Sequence, residues 1–455
     1  MNEERALILG RERIGRLLSQ YALPAVVAQI ASSLYNIVDR IFIGQGVGAL
    51  AISGLALTFP FMNLAAAFGA LVGVGASTLI SIKLGEKDYH TARLVLGNVI
   101  ILNIILGVGF TIVCLPFLEP LLYALGGSSE TVPYAKDYMY IILLGNVFTH
   151  LYLGLNAVLR SSGYPEKAMY VTIASVALNA ILDVLFIFGF HWGIAGAAWA
   201  TVITQIITTL ILLFMLMKRN KVVYITRECF HLKRKIVSQA CAIGASPFFT
   251  NLVGCLIVIV INLQLKEYGG DLAIGAYGII NSVAFMVLMV ILGITQGMQP
   301  IVGYNYGAKK YSRVLRCLKL AMICGLIVAS VGFLLAEFVP GLMAMAFTTD
   351  ERLIELTKSG FRIFMAVTPL VGLQVVASNF FQSIGLAKKA IFLSLTRQLL
   401  FLLPGLYIFP LVMELNGIWL AAPVSDFCSF IVTMLMLRYQ VSKMKKEMRF
   451  QMSSK

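Results

Sequence analysis

Apolar stretches of about 20 residues recur along the whole chain, and this feature restricts the possible folds more than any other. A stretch of that length crosses the roughly 30 Å hydrocarbon core of a bilayer as an α-helix. Hydrophobic residues make up 59% of the 455 residues and charged residues only 13%, whereas soluble domains carry about 25% charged residues. The sequence therefore predicts an all-α integral membrane protein, since helices satisfy their own backbone hydrogen bonds in lipid.

Hydropathy windows predict twelve transmembrane helices, in two pseudo-symmetric halves of six. The first six are expected near residues 15–43, 51–79, 93–118, 134–160, 168–189 and 194–217. The second six are expected near residues 237–265, 272–303, 313–345, 353–384, 390–412 and 417–438. The N-terminus has no cleavable signal pattern, so we expect it to stay attached.

Basic residues are unevenly distributed among the predicted loops. Loops after even-numbered spans read "KLGEKDYHTAR" and "GAKKYSR", whereas the alternate loops, such as "GQGVGAL" and "ELNG", hold few or no Lys and Arg. The positive-inside rule then places both termini in the cytoplasm of a multi-pass inner-membrane protein. This bias accounts for much of the net charge of +15. The expected partner of the basic loops is anionic lipid. We therefore expect no nucleic-acid partner.

The two halves of the chain repeat each other in sequence. "GEKDY" at Gly85 recurs as "GAKKY" at Gly307, and "SSGYPEKA" around Gly163 recurs as "SIGLAKKA" around Gly385, both at an offset of 222 in the numbering. The predicted domains are a first lobe at 1–217, a basic cytoplasmic linker at 218–235 and a second lobe at 236–455. Parallel six-span repeats are typical of secondary transporters that alternate access around a central site.

The segment "LNAILDVLFIFG" places two polar residues inside an apolar span. Asn179 and Asp183 are four residues apart and therefore share one helix face. A charged side chain at the bilayer centre costs roughly 2.5 kcal/mol or more, so an intramembrane carboxylate indicates a function.

Two other spans of the first half carry polar residues at similar spacing. These are Tyr35, Asn36 and Asp39 in the first span, and Thr201 and Gln205 in the sixth. If the three spans pack together, their oxygens form a pocket suited to Na⁺ or to protons, because burial disfavours charged carboxylates. Two structural alternatives remain open: Asp39 as an interfacial residue beside Arg40, and Asn179 as an interhelical hydrogen-bonding residue.

The second half lacks this set of residues. At the offset that relates the two halves, Asn179 corresponds to Phe401 and Asp183 to Gly405. Its own intramembrane charges are Arg397 and Asp426, on the eleventh and twelfth spans. We expect them to form a structural ion pair, with a second coupling site as the alternative.

The chain resembles the multidrug and toxic compound extrusion (MATE) transporters, most closely their bacterial branch. The resemblance rests on "VDRIFIG", "KLGEKDY", "LRSSGYPEKAM" and "LNAILDVLFIFG" in the first half and is looser in the second. It implies a V-shaped twelve-helix fold and antiport of H⁺ or Na⁺ against small organic, often cationic, drugs. The family's first-half cation site, including any Na⁺, would fall on Asp39, Asn179, Asp183 and Thr201.

We expect a monomer in the lipid bilayer, with no cofactor besides the coupling ion. Some members carry acidic residues on the seventh and tenth spans; here Cys255 stands nearest the first of these, and the tenth span has no acid. Two other functions remain open. A flippase for lipid-linked precursors would need a cationic cavity for a pyrophosphate. An intramembrane enzyme would need a nucleophile and a base, or two converging carboxylates, for which Asp39 and Asp183 are the candidates. The full-length repeat argues against an enzyme, and we assign no catalytic residues.

Overall fold

A computed structural model describes residues 2–219 and 221–453, and this part of the chain is helical with no β-strand. The first half contains α1 (Asn2–Arg11), α2 (Ile14–Gly46), α3 (Ala49–Gly85), α4 (Tyr89–Cys114), α5 (Leu118–Ala124), α6 (Val132–Ser161), α7 (Pro165–Asp183) and α8 (Gly193–Met217). The second half contains α9 (Arg234–Gly307), α10 (Tyr311–Phe338), α11 (Pro340–Met345), α12 (Glu351–Phe364), α13 (Thr368–Ser383), α14 (Ala387–Leu395), α15 (Leu403–Ile408) and α16 (Pro410–Ser453). Two π-helical segments, Val184–Gly189 and Thr396–Leu402, follow α7 and α14.

The helices account for twelve membrane spans. Within the described residues, ten helices are long and apolar enough to cross a bilayer, and α12 with α13, bent by 54°, forms an eleventh. Helix α9 has 74 residues and turns sharply at Gly270, where φ is 66°. A straight helix of that length would measure about 110 Å, several times a bilayer core. Helix α9 is therefore two spans, and the predicted all-α membrane fold is confirmed.

The backbone repeats with the same period as the sequence. Corresponding residues of the two halves adopt positive φ: Gly48 (120°) and Gly270 (66°), Lys87 (61°) and Lys309 (56°), Gly163 (98°) and Gly385 (75°). L-residues other than Asn and Asp seldom adopt this conformation, so its occurrence at both lysines is specific. The loops that share sequence motifs thus also share their turn geometry.

The chain forms two compact units that do not coincide with its two halves. Unit 1 comprises the residues up to Arg11 together with Val27–Phe248, and unit 2 comprises Glu12–Val26 together with the residues from Phe249 onward. The start of α2 thus belongs to unit 2, and the start of α9 belongs to unit 1. The two exchanged segments, 12–26 and 234–248, occupy equivalent positions in the sequence repeat. The division into lobes at residues 1–217 and 236–455 stays a prediction.

Helix α6 is the centre of unit 1, where it contacts α3, α4, α7 and α8. A Cβ on Gly73 of α3 would lie 3.2 Å from the Cα of Gly154 on α6, so these two helices approach almost backbone to backbone. Small residues allow such close packing, on which helix association in lipid depends. The side chains around this centre are buried and apolar, among them Tyr138, Met139 and Leu143.

Unit 2 is held by a separate apolar cluster around the fully buried Trp419 of α16 and Phe361 of α12. Its helices α10 and α13 approach at Gly325 and Gly372, where a Cβ on Gly372 would lie 2.4 Å from the carbonyl oxygen of Gly325. Many apolar side chains on the outside of both units are exposed, such as Phe338 at 76%. Such surfaces are expected on helices that face lipid.

The basic linker after α8 is docked on the start of α4. The Arg93 guanidinium donates to the Val222 carbonyl at 3.2 Å and to the Tyr224 hydroxyl at 3.1 Å. The Asn98 amide donates to the His231 carbonyl at 3.0 Å. A Cβ on Gly97 would lie 2.0 Å from a linker carbonyl oxygen, so only glycine fits there. The linker from Lys221 onward therefore packs as part of unit 1.

Candidate functional site

The polar residues of the first half meet inside unit 1, where α7 ends at Asp183. Asp183 is 0% exposed, and one turn earlier Asn179 lies between it and α8. The Asn179 Nδ2 donates to Asp183 Oδ2 at 3.0 Å, and its amide oxygen accepts from the Thr201 backbone N–H at 3.1 Å. The reverse orientation would set an amide oxygen against a carboxylate oxygen. Asn179 thus ties the carboxylate of α7 to α8.

Helix α2 contributes a tyrosine and a second carboxylate to the same place. The Tyr35 hydroxyl is 3.0 Å from Thr201 Oγ1. Asp39, one turn further along α2, is only 6% exposed. Its neighbour Arg40 is exposed, and its guanidinium lies 5.5 Å from the centre of the Phe59 ring. Asp39 is therefore buried inside the protein, while the side chain of Arg40 points away from it to the surface.

The two carboxylates are only partly satisfied. The Oδ1 atoms of Asp39 and Asp183 are both buried and have no hydrogen-bond partner among the described residues. The two groups lie close enough to interact electrostatically, and the buried Tyr138 of α6 lies within range of both. An unpaired buried charge is costly, so at least one carboxylate needs a proton or a bound cation.

A cavity of about 70 Å³ adjoins this group. Its lining is mostly polar and comes from α2, α6, α7 and α8: Ser32, Tyr35, Tyr152, Thr172, Ser175, Val176, Asn179, Thr201, Thr204 and Gln205. Ligand pockets for drug-sized molecules measure ~300 Å³ or more. This cavity has room for a few waters or a small cation, and not for a drug.

The structure brings together most, but not all, of the predicted residues. Tyr35, Asn179 and Thr201 line the cavity, and so does Gln205, whose buried Oε1 has no partner among the described residues. Asn36 does not join them: it is exposed, and its Nδ2 donates to the Ser32 carbonyl of its own helix at 2.9 Å. Its neighbour Tyr35 takes the inward position on α2.

Arg397 and Asp426 lie in unit 2 and form an ion pair through Arg397 Nε and Asp426 Oδ1. Asp426 is buried, whereas about a third of the Arg397 side chain is exposed. The Ser425 hydroxyl donates to the Arg397 carbonyl at 2.7 Å, which fixes the π-helical segment to α16. The two charges satisfy each other, as expected for opposite charges within the membrane.

The side-chain atoms of the site can be compared with the ligands that metal ions prefer. Within residues 2–219 and 221–453, no group of three or more His, Cys, Asp or Glu side chains could hold one. The site instead offers two carboxylates with a hydroxyl and an amide oxygen, and two of the carboxylate oxygens are unsatisfied. Such oxygens suit a hard, weakly held cation or a proton, and do not suit zinc, which prefers nitrogen and sulfur ligands.

Several residues of the site were missed from the sequence. Tyr138 gave no signal, because it stands in a segment rich in tyrosine. Thr172 and Ser175 did give one: with Asn179 and Asp183 they repeat every three or four residues along α7. That spacing indicates a continuous polar face on a helix.

Comparison with known proteins identifies the relatives of this fold. The MatE family model matches residues 24–185 and again residues 247–408. The chain belongs to the MatE family. It is 29% identical to the Multidrug export protein MepA of Staphylococcus aureus (strain N315) over 437 residues, which are 96% of each chain.

Solved MatE structures have the same fold. The MATE multidrug transporter DinF-BH superposes with a TM-score of 0.88 at 36% identity, covering 94% of this chain and 96% of the other. A multidrug resistance MATE transporter in an outward-facing conformation gives 0.90 at 25% identity, covering 97% and 99%. The twofold match of the family model agrees with the repeat in the sequence, and the chain is a multi-pass membrane protein of this transporter family.

Proposed function

We propose that the protein is a cation-coupled antiporter that exports small organic, mostly cationic, compounds, and that it is not an enzyme. The observation that carries the proposal is the buried pair Asp39 and Asp183, each with an unsatisfied oxygen. Relatives over nearly the whole chain are named as a multidrug export protein and as a multidrug transporter. The coupling ion would be H⁺ or Na⁺, with no other cofactor.

The proposed coupling residues each have a separate role. Asp183 and Asp39 bind the ion, because removing their charge relieves both burial and mutual repulsion. Asn179 and Thr201 orient Asp183 from α7 and α8, and Tyr35 joins α2 to the same group. A bound Na⁺ would take its oxygens from Asp39, Asp183, Asn179 and Thr201. Tyr138 positions the carboxylates from α6.

Coupling follows from linkage between the ion and the substrate. An ion drives transport only if it binds the outward-open and inward-open states with different affinity. Four helices, α2, α6, α7 and α8, contribute residues around the carboxylates, so a shift of α2 relative to α7 and α8 would change the number of groups around Asp39 and Asp183. We infer that the ion and a cationic substrate compete for this negative charge.

The basic loops determine the expected orientation of the protein in the membrane. With the positively charged loops inside, both termini and the docked linker lie in the cytoplasm. The ion would then bind from outside and leave toward the end of unit 1 where α7 begins. The oligomeric state expected for this arrangement is a monomer.

A flippase for lipid-linked precursors has less support. Binding a pyrophosphate calls for Arg or Lys side chains in the cavity. The cavity of unit 1 is lined by neutral residues, and of the two basic residues that a flippase could use, Arg397 pairs with Asp426 in unit 2. Arg160 lies within electrostatic range of the lining residue Tyr152 and is a single cation.

The test is dye efflux from proteoliposomes under an imposed pH gradient and, separately, a Na⁺ gradient. The wild type should transport under one of them, and Asp183→Asn should fall to background at an unchanged protein level. The matched control is Asp137→Asn, the same change at an exposed position of the same unit. Gradient-driven efflux by Asp183→Asn at the wild-type rate would refute the proposed coupling.

A further inference from the structure

The positions that line the cavity of unit 1 recur in unit 2 with polar residues of another kind. At the offset that relates the two halves, five of the ten lining positions correspond to a polar or charged residue. These residues of unit 2 are Gln374, Ser394, Arg397, Gln398 and Asp426. The counterparts of Arg397 and Asp426 in unit 1 are Ser175 and Thr204. Unit 2 therefore carries a pair of charges where unit 1 has two hydroxyl groups.

The residues at these positions lie together inside unit 2. Arg397, on the π-helical segment that follows α14, pairs with Asp426 of α16. One turn further along α16, the Ser429 hydroxyl accepts a hydrogen bond from the Gln374 amide of α13. The Gln398 amide, beside Arg397, donates to a backbone carbonyl of α9 at 3.3 Å. Helices α9, α13 and α16 thus enclose a polar region around the π-helical segment.

Two buried oxygens of this region lack a hydrogen bond. Gln374 and Gln398 are 4% and 8% exposed, and the Oε1 atom of each has no partner among the described residues. Buried side-chain oxygens normally accept a hydrogen bond from protein, from water or from a ligand. The region therefore offers two acceptors that the described side chains leave open.

Arg397 lies in the middle of its membrane span. The span covers Ala387–Ile408, so Arg397 is about 15 Å from either end at 1.5 Å per residue. That is about half of the hydrocarbon core and is too far for the side chain to reach the lipid headgroups. About a third of the side chain is nevertheless exposed. Because intramembrane charges face the protein interior or water, the exposed part of the guanidinium faces a water-filled cavity.

The ion pair uses only part of the guanidinium. Arginine has five N–H donors, and only Nε donates to Asp426 Oδ1. The two terminal Nη atoms have no partner among the described residues. The buried Tyr277 of α9 is the other titratable group within electrostatic range of Arg397. The edge formed by the two Nη atoms matches the two oxygens of a carboxylate.

The charge of the pair restricts the ligand further. Asp426 already balances Arg397, so a simple anion would bring an unbalanced charge into the membrane span, which is unfavourable. A compound that carries both a carboxylate and a positive group brings no net charge. The free edge of Arg397 therefore favours a zwitterion.

We propose that unit 2 contains a substrate subsite in which the terminal nitrogens of Arg397 bind the carboxylate of a zwitterionic organic compound. The proposal rests on the proposed function and extends its substrates from cations to zwitterions. Asp426 holds the guanidinium in place through Nε. The open oxygens of Gln374 and Gln398 accept hydrogen bonds from N–H groups of the same compound. The coupling residues of unit 1 are not part of this subsite.

The test uses one rhodamine dye in two forms. Its methyl ester is a cation, and its free acid differs only by a carboxylate that makes it a zwitterion. Arg397→Lys keeps a positive charge opposite Asp426 but loses the planar edge of two Nη donors. Arg352→Lys, the same change at an exposed position of unit 2, is the matched control. The readouts are fluorescence anisotropy of each dye with the purified protein and gradient-driven efflux of each dye from proteoliposomes.

The wild type should bind and export both forms of the dye. Arg397→Lys should weaken binding of the free acid by about tenfold, as expected for the loss of a charge-assisted hydrogen bond, and slow its efflux at low dye concentration. Binding and efflux of the ester should not change. Arg352→Lys should match the wild type for both forms. An equal change for the two forms in Arg397→Lys, or no change, would refute the subsite.

The double variant Arg397→Met with Asp426→Leu decides the outcome if Arg397→Lys is not monodisperse in size-exclusion chromatography. It removes the guanidinium without leaving an unpaired charge, so it should lose binding of the free acid and keep binding of the ester. Equal behaviour of the two forms in this variant overturns the subsite. If the wild type exports the ester but neither binds nor exports the free acid, the subsite is wrong and the antiport stands. If no gradient drives export of either form, the proposed function fails, and the subsite fails with it.

Discussion

Replacing Asp426 by Asn should destabilise unit 2 because it leaves the Arg397 charge inside the membrane span without its partner. Removing one member of a buried pair costs about 3–5 kcal/mol. Asp426 is 7% exposed but the Arg397 side chain is 36% exposed, which reduces the expected cost to roughly 2–3 kcal/mol. For a unit of about 200 residues this lowers the unfolding temperature by roughly 4–12 °C.

The assay is thermal unfolding in detergent for Asp426→Asn, Arg397→Met and the double variant Arg397→Met with Asp426→Leu. The double variant should recover most of the lost stability, because an apolar pair replaces the ion pair without leaving a charge. It should also keep gradient-driven dye efflux if the pair is structural. Single-variant losses that simply add up in the double variant would refute this reasoning. Efflux lost at unchanged stability would instead indicate a second coupling site.

Two further predictions concern packing and pH. A Cβ on Gly244 would lie 1.7 Å from the Leu71 carbonyl oxygen, so Gly244→Ala should abolish the monodisperse peak in size-exclusion chromatography. Gly109→Ala, where a Cβ meets nothing within 4 Å, should keep that peak; equal behaviour would contradict the packing. Burial and the neighbouring Lys167 and Lys218 lower the pKa of Lys221 in the linker to about 8. Between pH 8 and ~10.4 the unfolded chain then binds more protons at this lysine than the folded chain does, so the free energy of unfolding rises with pH in this range. Lys221→Met should flatten that rise when the unfolding temperature is measured against pH.

The sequence predicted the membrane fold well because bilayer thickness imposes helix length directly. The repeat was also visible, since the turns at Lys87 and Lys309 depend on local residues. The division into units was not visible: the start of α2 packs with residues of the other half of the chain, which no local pattern records. Around the site, Asp183 was found because a carboxylate in an apolar span is conspicuous. Tyr138 was missed because an aromatic residue there looks like any other packing residue.

The exchange of segments 12–26 and 234–248 between the units has an evolutionary consequence. If the chain arose by duplication of a six-span ancestor, each ancestral copy would have lent the start of its first helix to its partner. The ancestor would then have been a domain-swapped homodimer, in which neither subunit could complete its fold alone. Fusion of the two genes would have preserved that dependence within one polypeptide, so the halves expressed as separate chains should be stable only when made together.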